Sequence, residues 1–379
     1  MKLTEILQNQ ELRTYEFPVV KERTFLAHAG VTALPRRTSE AIRNFADQGT
    51  KDQQEGDWVW PLVTETRKAV AQLLQCDSME IALLGPTSLG LNLVANGLTW
   101  HPGDEVIYYA DDYPANVYPW LKLKRLGVKP VPLRPECPGL ITWEIIEDLV
   151  TESTKLVALA SCHFLSGYRI DIDKIGQQLH KRGILFSLDG IQTLGAFPVS
   201  VEHVDFLSAD SHKWLLGPVG AGIFYVKSFC MDLLNPTLLG ARNVISPEFI
   251  AQEEIAFYGG ARRYEPGSLN VPGILGMLES IKLLLDLGIE NVEKRILDLR
   301  QYVLDIALPL GYQHYENGNS GIISLTHPTY DMQALWKKLG ENKISVSLRK
   351  NRQAQTFIRL SPHFYNTEEE IDRVINVFN

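Results

Sequence analysis

The sequence predicts an α/β protein: a large unit built on a mainly parallel seven-stranded sheet, then a smaller α+β unit at the C-terminal end. Three observations predict it. From about residue 80, short apolar runs alternate with amphipathic stretches of helical length. Those runs are continuously apolar, as expected of strands covered on both faces. After residue 240 the pattern changes to two long helical stretches, followed by strands mixed with helices.

The first run, IALLG (81–85), precedes the helix-like TSLGLNLVANGL. EVIYYA (105–110) precedes ANVYPWLKLKRLG, and VKPVPL leads to ITWEIIEDLV. KLVALA (155–160) precedes the helical DIDKIGQQLHKRG, which runs into ILFSLD (184–189). VDFLSAD (204–210) and GIFYV (222–226) complete the seven. In folds of this kind ligands sit at the carboxyl ends of the strands, and the polar residues of interest fall just after these runs. Beyond residue 240, ILGMLESIKLLLDLG and NVEKRILDLRQYVLDIALPLG read as helices. GIISLTH, ISVSLR and TFIRLSP read as strands, with DMQALWKKLG and EEEIDRVINVFN as the last helices. The expected division is a large domain over 15–275 and a small domain over 276–379 together with 1–14.

The 379 residues are 45% hydrophobic and 22% charged, an ordinary globular composition that can bury a deep site. A net charge of −8 argues against nucleic acid as a partner. Cys76, Cys137, Cys162 and Cys230 form no CxxC pair and no spacing that suggests zinc, so no metal is expected. The start, MKLTEILQNQELRTYEF, lacks the basic and apolar segments of a signal peptide. No apolar run approaches the ~20 residues of a membrane span. A cytoplasmic protein with no membrane partner is the expectation.

Chemistry concentrates in SLDGIQ (187–192) and SADSHKWLLGPVGAGIFYV (208–226). Asp189 ends one predicted strand, and Lys213 follows it by 24 residues, just after another. That order suits pyridoxal 5′-phosphate (PLP), which needs a lysine for a Schiff base and a carboxylate against its pyridine nitrogen. The carboxylate favours the protonated ring. The lysine, once displaced, serves as general base at the substrate Cα. Taken singly, HK reads as a solvated turn and Asp189 as a helix cap; it is the joint order that separates the readings. Thr87 and Ser88, in GPTSLGLNLVANGL (85–98), open a helix whose N–H groups and dipole favour a phosphate. Simple capping is the other reading of that pair.

With these motifs the chain resembles the class V aminotransferases of the fold-type I PLP enzymes, a group that includes the cysteine desulfurases. The resemblance runs from FLAHAG (25–30) to FIRLSPHFYNT (357–367), and DGIQ and SHKW are its most specific pieces. It implies the aspartate-aminotransferase-like fold, with PLP on Lys213, Asp189 at the pyridine nitrogen and Gln192 near the phenolic oxygen. Thr87, Ser88 and His212 would hold the phosphate. Ser268, in RRYEPGSLN, would reach the phosphate of a neighbouring subunit, which implies a homodimer with shared active sites. Tyr113, in DDYPANVYPW, would stack on the ring. His163, in SCHFLSGYRIDI, falls where the family places an amide for the phenolic oxygen, with a structural histidine as the other reading. Arg169 in the same segment reads as a structural ion-pair residue. Arg359 lies in an otherwise apolar run, where an unpaired guanidinium is costly. The resemblance assigns it the substrate α-carboxylate, with an internal ion pair as the alternative.

The chain also departs from that family. Pro86 replaces the usual glycine before the Thr-Ser pair. Asp210 stands where many relatives carry a phosphate-binding serine, so it is expected to point away or to pair with a base. Tyr113 stands where desulfurases carry histidine. The loop SLRKNRQAQT lacks the desulfurase cysteine, so no persulfide transfer is expected. The expected function is a PLP-dependent aminotransferase acting on a small α-amino acid, with a 2-oxo acid as second substrate. A C–S lyase or epimerase of the same family is the alternative, and a non-catalytic PLP-fold binding protein the second. Side-chain specificity is expected from Ala29, Gly30, Tyr258, Arg263 and the 347–356 loop.

Overall fold

The computed structural model describes residues 2–378. Its central sheet contains β1 (Ile81–Leu84), β2 (Glu105–Tyr109), β3 (Lys129–Leu133), β4 (Thr154–Ala160), β5 (Leu185–Asp189), β6 (Phe206–Asp210) and β7 (Gly222–Val226). The spatial order is β1-β7-β6-β5-β4-β2-β3. β7 runs antiparallel to both its neighbours, and every other pair is parallel.

Alternate side chains of each strand enter opposite faces. Val106 and Tyr108 pack with Leu156, Ala158, Phe206 and Phe224 on one side. Ile107 and Tyr109 join Val157, Leu159, Phe186 and Leu188 on the other. Both faces are covered, which explains why the runs are continuously apolar. Each fully buried side chain of this size contributes about 1.5–3 kcal/mol relative to exposure.

The covering helices include α1 (Arg36–Gly49), α2 (Val59–Leu74), α3 (Thr87–Gly97) and α4 (Val271–Leu287), the last packed on α1 and α2. α3 lies so close to β6 that a Cβ on Gly90 would meet Ser208 Oγ at 2.4 Å. Two expected helices are shorter than their apolar patterns suggest. ANVYPWLKLKRLG forms a helix only over Tyr118–Lys122, then tightens into a 3₁₀ turn over Leu123–Leu126 that Gly127 closes at φ 78°. ITWEIIEDLV is helical only over Trp143–Glu147.

The second unit holds α5 (Ile289–Ala307), β8 (Ile323–Leu325), α6 (Met332–Glu341), β9 (Ser347–Lys350), β10 (Thr356–Leu360) and α7 (Glu368–Phe378). Its antiparallel sheet has the order β9-β10-β8. Leu299, Val303, Leu325, Leu339, Ile358, Leu360, Ile371 and Val374 form its core.

The cores divide differently from the expected boundary at 275. α4 packs into the large core along its whole length, as do Val292 and Ile296 on α5, whereas Leu299 onwards faces the small core. The change of core therefore falls within α5, after Ile296, while Gly288 at φ 78° turns the chain between α4 and α5. The segment 24–26 departs as well. Thr24–Phe25 pairs in parallel with Ile344–Ser345, and Leu26 lies in the small core. The N-terminal arm straps the two units. Ile6 and Phe17 enter the large core, while Arg13 Nε donates to Tyr365 O at 2.7 Å and its Nη2 lies 2.5 Å from Glu370 Oε1 on α7. Among the described residues no helix is long and apolar enough to cross a membrane.

Sheet register decides where the polar groups emerge. Asp210 pairs with Gly222, and Gly222 with Leu84, so the turn leaving β1 opens at the same edge as the ends of β5 and β6.

Candidate active site

A cavity of about 470 Å³ opens at that edge, and the β9–β10 hairpin and residues 27–31 wall its other side. Lys213 reaches it from the turn after β6. That turn is closed by its own hydrogen bonds: Ser211 Oγ donates to Pro218 O at 2.8 Å and Gly217 N to Ser211 O at 2.8 Å. Leu216 takes a left-handed φ of 57° to complete it. Lys213 is 9% exposed, and burial pulls its ammonium down to about 8. Asp189 opposes that shift, while Arg359 and Arg349 reinforce it. Burial likewise pushes Asp189 up to about 6, against the pull of the Ile191 N–H, which donates to its Oδ1 at 3.0 Å, and of Lys213.

At pH 7 a lysine with a pKa near 8 is neutral about a tenth of the time, against roughly 0.03% for an ordinary lysine. Added PLP is therefore expected to react with the apoprotein at a rate that rises with pH and levels off above about 8. Stopped-flow absorbance measures it. A rate still climbing at pH 10 would mean that the reacting amine is not a depressed Lys213.

Thr87 and Ser88 line the cavity at the start of α3, and the N-cap residue Pro86 provides no side-chain cap. Thr87 Oγ1 accepts the Asp210 N–H at 2.9 Å, which leaves its own proton for a ligand. Asp210 does not point away: it lines the cavity, with Oδ2 3.0 Å from His212 Nδ1. The pair is close enough for charge attraction but poorly aligned for a hydrogen bond, since His212 Nδ1 is left without one; Asp210 Oδ1, on the other side of the carboxylate, is unpartnered as well.

Tyr113 is half-exposed at the rim, its ring centroid 5.5 Å from Lys213 Nζ. The turn that holds it is braced by buried Asp112, which accepts the Tyr113 N–H at 2.7 Å and Asn116 Nδ2 at 2.9 Å. Burial and then the charge of Asp189 push Asp112 up to about 7. Gln192 lines the cavity, but its amide is held: Nε2 donates to Ala29 O at 3.2 Å and Oε1 accepts Trp214 Nε1 at 2.9 Å.

His163 is not brought to the cavity. Its Nδ1 lies 2.9 Å from Ser166 Oγ and its Nε2 3.2 Å from Asp111 O, so both ring nitrogens are used internally. Burial pulls it down to about 4, which keeps it neutral. Its neighbour Phe164 lines the wall instead. Ser268 is exposed and lies outside the cavity of its own chain, as do Tyr258 and Arg263.

Arg359 is 1% exposed and lines the cavity from β10. Its Nη1 donates to Phe164 O at 2.6 Å, Nη2 lies 3.5 Å from Ser347 Oγ, and Nε has no partner. Among the described residues no carboxylate pairs with it. Gly30 packs beside this group: a Cβ there would lie 3.1 Å from Ala27 O and 3.2 Å from Ser347 Oγ. Arg169 behaves as expected, pairing with Glu293 at 2.8 Å away from the cavity. Arg349, Ser347, Phe164 and Asp112 were not singled out individually from the sequence. The two-residue alternation of Ser347, Arg349, Phe357 and Arg359 along adjacent strands was the available signal for the first two.

The family model described as Aminotransferase class-V matches residues 24–374. A protein of Methanothermobacter thermautotrophicus named probable cysteine desulfurase is 26% identical over 378 residues, covering 94% of this chain and 94% of the relative. An apo cysteine desulfurase structure from Thermococcus onnurineus NA1 has a TM-score of 0.88 at 22% identity, covering 96% of each chain. A C-DES variant with glycine covalently linked to its PLP cofactor has a TM-score of 0.86 at 22% identity, covering 96% of this chain and 98% of that one.

Proposed function

The chain belongs to the class V aminotransferase family, and from that premise we propose that it transfers the amino group of a small α-amino acid to a 2-oxo acid, with PLP held at Lys213. The observation that carries this reading is the convergence of Lys213, Asp189 and a buried, acid-free Arg359 on one cavity.

The residues present fit the cofactor. One buried nitrogen without a hydrogen bond, His212 Nδ1, shares the cavity with the uncapped start of α3, whose free N–H groups suit a phosphate. Asp210 is the one group of the wrong sign there, and His212 offsets it. Bound in this cavity, PLP supplies an electron sink for the pair left at the substrate Cα. Asp189, with one oxygen held by Ile191, offers the other to the ring nitrogen. Tyr113 would stack on the ring, and Gln192 would lie along it. Thr87, Ser88 and His212 hold the phosphate, with Ser268 of a second copy added in a homodimer. Arg359 orients the substrate through its α-carboxylate. Lys213, with its lowered pKa, moves the proton between Cα and the acceptor carbon.

The name of the archaeal relative favours a second reading, C–S cleavage at Cβ with sulfur released to solvent. A thiol relay on this chain has no candidate, because among the described residues no cysteine lines the cavity, and Cys162 and Cys230 are buried with thiols pushed up by burial. One assay separates the readings. The PLP-loaded protein is expected to release 2-oxo acid only in proportion to enzyme until a 2-oxo acid acceptor is added, and then catalytically. Sustained pyruvate and ammonia from cysteine without an acceptor would replace transamination by the lyase.

A further inference from the structure

We propose that Arg349 binds a second carboxylate on the substrate, so that the site prefers α-amino acids and 2-oxo acids whose side chains end in a carboxylate. The proposal rests on the reading of Arg359 as the α-carboxylate ligand. In the β9–β10 hairpin Ser347 lies opposite Arg359 and Arg349 opposite Phe357. Opposed residues share a face, and so do residues two apart, so both guanidinium groups rise from one face, diagonal to each other. That face walls the cavity, where Ser347, Arg349 and Arg359 all appear.

Arg349 has no acidic partner among the described residues; its Nη1 donates only to the neighbouring carbonyl of Leu348, at 2.9 Å. Arg67 closes on Glu265, Arg169 on Glu293 and Arg295 on Glu368, and the buried Arg300 is satisfied by three backbone carbonyls. Arg352, at the tip of the same hairpin, closes on Asp111. Among the charged groups that line the cavity, Asp210 lies against His212, Asp189 opposes Lys213, and the α-carboxylate takes Arg359. Arg349 is the guanidinium left without an anion. Two like charges on one hairpin face repel: burial, and then the charge of Arg349, pull Arg359 down. A ligand with two carboxylates spanning the diagonal relieves that repulsion and satisfies both forks.

The test compares acids with their isosteric amides on the PLP-loaded protein, reading displacement of the visible band. L-Aspartate or L-glutamate is expected to bind about tenfold or more tighter than its amide, the size of one charge-assisted contact. The ratio should collapse towards one in Arg349→Gln and be partly kept in Arg349→Lys, which retains the charge. Succinate binding by calorimetry, which requires no chemistry, should weaken in Arg349→Gln by a similar factor. Equal affinity for acid and amide in the unaltered protein, or a preference that survives Arg349→Gln, would overturn the proposal. If no amino acid moved the band while succinate bound in an Arg349-dependent way, the dicarboxylate site would stand and the aminotransferase reading would fall.

Discussion

Lys213→Ala is expected to lower turnover by roughly 10³-fold or more and to abolish the borohydride-fixed adduct, because one side chain supplies both the covalent anchor and the base. It is the only lysine among the described residues that lines the cavity. Its burial makes the effect specific. An ordinary surface lysine would be protonated at neutral pH, whereas this one is held near 8 by desolvation that Asp189 only partly offsets. Lys213→Arg keeps a positive charge but supplies neither a neutral amine nor a Schiff base. It should therefore be as inactive as the alanine variant while folding more normally. Absorbance, peptide mapping of the reduced adduct and single-turnover proton exchange at Cα give three separate readouts. An adduct mapped to another lysine, or full turnover by either variant, would sink the assignment.

Much of this fold was legible because burial writes itself into strands. The seven apolar runs became seven strands, and DIDKIGQQLHKRG became the helix Ile172–His180. Less legible was what depends on partners far away in sequence. FLAHAG carries no periodicity that announces a strand, yet Thr24–Phe25 completes a ladder with Ile344–Ser345, more than 300 residues on. The membership of one helix was hidden for a similar reason. The helix ILGMLESIKLLLDLG is apolar all round, and nothing in its own pattern tells which core it enters; that is set by its packing on α1 and α2.

The candidate site divides in the same way. Residues fixed by a strand end or a helix start, such as Asp189, Thr87 and Ser88, were readable, since topology alone brings them to one edge. His163 was not, because one position along a loop exchanges a cavity-lining side chain for a buried one: Phe164 faces the cavity, and His163 turns to Ser166 and Asp111. Asp210 was half-legible. A base does accompany it, but the Thr87 hydroxyl holds its backbone N–H and keeps the residue at the cavity wall. Arg349 escaped because its meaning depends on hairpin register with Arg359.

Removal of the Arg359 guanidinium should separate binding from stability. A buried charge-assisted pair that loses one partner typically forfeits about 2–5 kcal/mol, so Arg359→Ala is expected to raise KM by roughly 10²-fold or more. The change in kcat should be smaller, because the α-carboxylate is held in both ground and transition states. Arg359→Met is the sharper variant. It fills much of the same volume without the charge, and in the free protein that charge is 1% exposed with no acidic partner. An uncompensated buried cation destabilises its fold, and its loss is opposed by the loss of the hydrogen bonds to Phe164 O and, more weakly, to Ser347 Oγ. The expected result is a Tm unchanged or higher together with a KM as impaired as that of the alanine variant. A large fall in Tm would show that Arg359 braces the hairpin rather than waiting for a ligand. Its assignment as the carboxylate anchor would then fail even if activity were lost, since an unfolded hairpin loses activity for a different reason.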